Sequence, residues 1–172
     1  MPSYLRFDRW QNTAGTQYSN VIQTRFVSWY DVTTNSAATS YVPLTGGTIT
    51  IVSTLASSKF LLMAHVNGYR NANGGSNIGF NRVLSGTTTR LVGAEGGGTG
   101  DAWMAEGNGS TNNSWNAQRH WLDSPGQPAG TSITYNVLGG NWTSGTITYF
   151  NYGGPPSSYT LTSMFTILEI QP

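Results

Sequence analysis

The chain has 172 residues, 9% of them charged and none of them cysteine, and its eight Lys and Arg against seven Asp and Glu leave a net charge of +1. That length fits one domain, and the near-neutral balance gives no electrostatic reason to bind nucleic acid or an anionic membrane. No apolar run approaches the ~20 residues of a spanning helix, and without Cys neither a disulfide framework nor a Cys-ligated zinc site is possible.

Charge lies far below the roughly one quarter usual in globular proteins. Gly, Ser, Thr and Asn take its place, residues that build turns and polar strand faces. Six Trp and nine Tyr supply material for a core, which argues against disorder. The start, Met1-Pro2-Ser3-Tyr4-Leu5-Arg6, lacks the basic-then-apolar form of a secretory signal, so the expected site of synthesis is the cytoplasm.

Residues 1–30 carry two short segments, 5–10 and 20–29, split by the turn-prone Asn12-Thr13-Ala14-Gly15-Thr16. They read as an N-terminal strand and docking segment ahead of a domain at 31–172, with Phe7 and Trp10 as apolar anchors. In the second segment Val21, Gln23, Arg25, Val27 and Trp29 share one face, and Ile22, Thr24 and Phe26 the other. A polar stretch at 33–40 leads to Tyr41-Val42-Pro43-Leu44 and a predicted turn at Gly46-Gly47. Thr48-Ile49-Thr50-Ile51-Val52 then alternates at period two, the mark of a half-buried strand.

The run Phe60-Leu61-Leu62-Met63-Ala64-His65-Val66 is the most continuous apolar stretch. It is short and bounded by Ser57-Ser58-Lys59 and Asn67-Gly68, so it reads as a central strand covered on both faces. From 71 to 116 Gly, Asn, Ser and Thr dominate, with strands expected at 78–83, 88–92 and 102–105. After the proline turn Leu122-Asp123-Ser124-Pro125 come alternating strands at 131–137 and 145–149 and a hydrophobic strand at 166–170. A tail buried in that way leaves little room for a further domain after it.

No stretch sustains a 3.6-residue period, so little or no helix is expected. Strand-like segments every ten to fifteen residues predict an all-β fold, an antiparallel jelly-roll β-sandwich.

Candidate chemistry is sparse. His120, Asp123 and Ser124 are close in sequence, but triads are assembled by the fold, and Asp-Ser-Pro is a good turn. His65 sits inside the apolar strand and reads as a core or interface histidine. Gly96-Gly97-Gly98-Thr99-Gly100-Asp101 lacks the GxxxxGK[ST] pattern of a phosphate loop. Nothing fixes the separation of Glu95, Asp101, Glu106 and Asp123 into a glycosidase pair, and two distant histidines make no metal motif. The sequons at Asn108, Asn112 and Asn141 arise by chance in so Asn-rich a chain. Trp103, Trp115, Trp121 and Trp142 fit a core or subunit interface better than a sugar platform. The expectation is a protein that is not an enzyme and takes no cofactor or metal.

Ser57-Ser58-Lys59-Phe60-Leu61-Leu62-Met63 is similar to the entry strand of a family of marine and cyanobacterial phage virion proteins. Leu122-Asp123-Ser124-Pro125, Thr131-Ser132-Ile133-Thr134-Tyr135-Asn136-Val137 and residues 161–170 resemble that family's ending. Leu5-Arg6-Phe7-Asp8-Arg9-Trp10-Gln11-Asn12 resembles the leader strand of phage fibre proteins. One departure is that Met164 is displaced from Leu168-Glu169-Ile170, where the family has Met-Glu-Ile. The resemblance implies a jelly roll of the tumour-necrosis-factor/C1q type, commonly a homotrimer, on a virion surface as fibre tip, knob or capsid decoration. Its implied partners are further copies of itself, the major capsid protein or other virion proteins, and host surface glycan if the loops at 71–116 bind a receptor. A cellular lectin-like module is the alternative from a different class.

Overall fold

The computed structural model describes residues 21–37, 40–71, 75–92, 105–106, 113–141, 145–155 and 159–171. Eleven strands run in chain order: β1 (Val21–Trp29), β2 (Thr33–Asn35), β3 (Ser40–Val52), β4 (Lys59–Arg70), β5 (Gly75–Leu84), β6 (Thr87–Val92), β7 (Ala105–Glu106), β8 (Asn113–Asp123), β9 (Ser132–Asn141), β10 (Thr148–Phe150) and β11 (Ser163–Ile170). No helix occurs among the described residues.

The strands form two antiparallel sheets. One runs β1-β11-β4-β10-β2, with β8 on the far side of β4; the other runs β3-β9-β5-β6, with β7 also on β5. Setting aside the short β2, β7 and β10, the sheets read β1-β11-β4-β8 and β3-β9-β5-β6. This is the double Greek-key order of a jelly roll, in which successive strands alternate between layers except at the β5-β6 hairpin. The fold is the all-β sandwich that the strand spacing predicts.

Period-two alternation builds the core. Phe60, Leu62, Ala64 and Val66 of β4 face inward, as do Phe165 and Ile167 of β11, Ile78 and Phe80 of β5, and Ile133, Tyr135 and Val137 of β9. Across the layers Phe80 stacks on Phe165 with ring centroids 5.6 Å apart, and Phe60 meets Tyr135 at 5.8 Å. The expected C-terminal strand is β11, and it lies between β1 and β4. Residues 21–29, read from sequence with the N-terminal segment, form β1 and pair with β11 from Val21↔Ile170 to Trp29↔Ser163. Trp29 belongs to the core.

Two expectations change. Gly46-Gly47 is a bulge within one long strand, because β3 pairs β9 at Pro43↔Leu138 and resumes at Thr48↔Asn136. Pro43 has no N–H for the ladder, and Gly46 takes a positive φ of 84° against the Trp29 side chain. The β4 run, read as covered on both faces, is covered on one: Leu61, Met63 and His65 are half-exposed on the outside of the sheet. Of the strand expected at 102–105, the described part is β7, paired at Ser76↔Ala105 and Gly75↔Glu106.

Candidate interaction surface

The segments that carry the sequence resemblance meet in space. β4 pairs with β8 along its whole length, from Phe60↔Asp123 to Arg70↔Asn113. The Ser57 amide donates to the Gln127 carbonyl at 2.8 Å, and the Ser53 amide to that of Thr131 at 2.9 Å. Glu169, inside the Leu168-Glu169-Ile170 ending, is fully buried. Its carboxylate accepts from the Gln23 amide at 2.6 Å and the Thr54 backbone N–H at 2.7 Å. Burial alone would raise this carboxyl, but hydrogen bonds from Ser58, Gln23 and Thr54 outweigh it and hold it below its ordinary value. These motifs close one end of the sandwich.

Asp123 is inside too. Both its oxygens accept from Arg82 Nη1, at 2.8 and 2.9 Å, and one also accepts from the Tyr135 hydroxyl at 2.8 Å. Burial, then the Asp123 charge, pushes the Tyr135 phenol far above its usual range. Alternation along β8 puts His120 on the opposite face, so His120, Asp123 and the exposed Ser124 do not converge. Asp123 joins the two sheets and is a strand end rather than a turn residue.

The outer faces of the two sheets differ in kind. On the β3-β9-β5 side Thr48 donates to Asn136 at 2.8 Å, Asn136 donates to Asn81 at 2.7 Å, and the Thr50 and Thr134 hydroxyls lie 2.8 Å apart. Arg90 lies over the Tyr41 ring at 4.7 Å. That side is a polar ladder suited to water.

The outer face of the β1-β11-β4-β8 sheet exposes large apolar side chains among uncharged polar ones. Phe26, Leu122 and Met164 are 59%, 51% and 42% exposed. Register sets Phe26 against Thr166, Thr166 against Met63 and Met63 against His120 in one row, with Met164, His65 and Gln118 in the next. Together they line a shallow groove of about 230 Å³ with no fixed charge among its walls. His65 is thus half-exposed on the outer face of the sheet and not in the core. Sequence reading missed Phe26, Leu122 and Met164; the signal was apolar residues at both odd and even positions of β4 and β11.

At the other end of the same face lies a second groove, of about 410 Å³, walled by Val32, Thr34, Tyr69, Asn71, Tyr149, Tyr152 and Pro155. The rings of Tyr69, Tyr149 and Tyr152 meet at centroid distances of 5.4 to 5.8 Å. Burial, with Tyr152 and Tyr149 beside it, raises the Tyr69 phenol.

The remaining sequence candidates fall elsewhere. Phe7, Trp10, Glu95, Asp101, Trp103, Asn108, Asn112 and Trp142 lie outside the described residues. Trp115 is in the core, whereas Trp121 is 40% exposed. Asn141 is fully buried, its amide donating to the Asn35 and Thr146 carbonyls, so that sequon is closed in the folded chain. Among the described residues no three His, Asp or Glu side chains gather as a metal site would require.

No family model matches the chain, and no curated protein matches it. Among solved structures it is similar to that of infectious bursal disease virus Gx strain, at 14% identity and a TM-score of 0.39, over 98% of this chain and 41% of that one. It is also similar to Eiger TNF from S. frugiperda, at 7% identity and a TM-score of 0.41, over 86% and 93%. A third is bacteriophage CBA120 tailspike protein 4, at 12% identity and a TM-score of 0.27, over 76% and 19%. The chain spans about two fifths of the bursal disease virus chain. Superpositions this loose carry no argument about function, and the class of the protein rests on its own strand order. It is a two-layer jelly roll with one polar and one apolar outer face.

Proposed function

We propose that the chain is a non-enzymatic virion structural protein, a trimeric capsid decoration or knob whose copies meet through the apolar face of the β1-β11-β4-β8 sheet. The observation that carries this reading is the difference between the two outer faces. A sheet face that shows Phe26, Leu122 and Met164 to water beside half-exposed Leu61 and Met63 is stable in solution when another surface covers it. Obligate interfaces between copies have this apolar character. The 9% charge and absence of cysteine suit a close-packed assembly indifferent to redox state. The resemblance of 57–66 and 121–170 to phage virion proteins supports the particle, and the part of the N-terminal segment ahead of β1, with Phe7 and Trp10, is assigned to docking on the major capsid protein. Immunogold labelling of purified particles with an antibody against this chain tests the reading. Label over the head or its vertices is expected; particles without any label would refute it.

A second reading is supported by the tyrosine groove. Tyr149 and Tyr152, set against the buried Tyr69 and beside Asn71, offer the ring faces and polar rim on which sugars stack, which suits a receptor-binding fibre tip. Label confined to the tail, with glycan-array binding lost in Tyr152→Ala, would favour it. Sugar binding without any particle label would favour a free lectin.

A further inference from the structure

Arg70 ends β4 at the pole of the sandwich opposite Asp123 and Glu169. Its side chain is fully buried, and among the described residues none of Nε, Nη1 and Nη2 has a hydrogen-bond acceptor. A guanidinium carries five donors and stays charged, so burying it unpaired is among the costliest arrangements a fold can hold. Burial lowers its proton affinity.

The two buried carboxylates among the described residues are too far away to help. Asp123 and Glu169 both sit in register with Phe60, ten positions along β4 from Arg70, or roughly 33 Å at ~3.3 Å per residue. Both are already occupied, by Arg82 with Tyr135 and by Gln23 with Thr54.

Around Arg70 the fold sets neutral polar groups that satisfy one another. Thr148 is its direct partner across the ladder, and directly paired residues project to the same face. Thr148 shares a 2.9 Å hydrogen bond with Ser76 across the two sheets. Ser76 is in turn paired with Asn141, whose side chain is engaged with Asn35 and Thr146. Thr148, Ser76, Asn141 and Thr146 are all buried. Hydroxyls and amides beside an unpaired planar fork are the surroundings in which two oxygens of one anion are held.

We propose that Arg70, flanked by Thr148 and Ser76, is an oxyanion site whose guanidinium takes two oxygens of a phosphate or carboxylate group. The group comes either as a free anion or as a carboxylate borne on protein. This proposal is independent of the virion reading.

Thermal unfolding of the intact chain in inorganic phosphate and in chloride at equal ionic strength tests it, with Arg70→Lys and Arg70→Met alongside. Phosphate is expected to raise the wild-type Tm saturably. Arg70→Lys, which keeps the charge but loses the fork, should respond less, and Arg70→Met should show only the unsaturating rise that phosphate gives any protein by exclusion from its surface. Equal wild-type melting in both salts, together with a lower Tm for Arg70→Met that the charge-keeping Arg70→Lys restores in part, would point to a protein carboxylate as the partner. Equal melting in both salts with Arg70→Met as stable as wild type, or more so, would overturn the proposal, since an unpaired buried charge is improved by an apolar replacement. Should Arg70→Met not fold, the wild-type titration and Arg70→Lys decide the question.

Discussion

Asp123, Arg82 and Tyr135 join three strands through one buried carboxylate. Removing the phenol hydroxyl leaves the Asp123–Arg82 pair intact, whereas removing the carboxylate strands a largely buried cation, whose side chain is only 17% exposed. Tyr135→Phe should therefore cost about 1–3 kcal/mol, and Asp123→Ala more, about 3–5 kcal/mol. Urea unfolding with unchanged m-values would establish the ranking; equal losses would mean that the pair is not the dominant part of the network. Glu169 gives a pH dependence. Its folded carboxyl lies below the ordinary value, so its contribution is complete above the unfolded pKa of ~4.3 and is lost as pH falls through the folded value. Tm should decline in that acid range, and Glu169→Gln should flatten the decline while lowering Tm at neutral pH.

At the level of elements, Gly68 shows how closely β4 is packed. A Cβ there would run into the Trp115 ring and the Tyr149 carbonyl. Gly68→Ala is expected to cost about 1–3 kcal/mol through overpacking, read as a lower thermal midpoint, while Gly126→Ala meets no neighbour and should be affected only through its positive φ of 64°. The sequence showed most of these elements because period two survives wherever one face is buried: 48–52, 131–137 and 166–170 all emerge as strands. It misplaced Gly46-Gly47 because a bulge and a turn use the same residues. It read β4 as covered on both faces because a strand whose second face awaits a partner has the same apolar run as one inside a single chain. Arg70 was silent for a different reason: an arginine at a strand end looks solvated until the layer above it is known.

The whole molecule has a sidedness, and the proposed assembly can be tested on it directly. The double variant Phe26→Glu/Met63→Glu places two like charges on the apolar face in registered rows. Wild type is expected to sediment as a trimer and the variant as a monomer that still melts cooperatively, because neither side chain is part of the core cluster. A monomeric wild type at micromolar concentration would remove the basis for self-association through this face. The apolar outer surface was legible only as the excess of hydrophobic residues in β4, since membership of one face or the other needs the register of four strands that are distant in sequence.

The position of β11 has a consequence for synthesis. Among the described residues β1 pairs in its sheet only with β11, so residues 21–29 lack that strand partner until residues 163–170 have left the ribosome. At ~5–20 residues per second, that is a wait of roughly ten to thirty seconds, during which the nascent N-terminal strand and the apolar β4 are both uncovered. Closure of the sandwich waits for β11 to emerge.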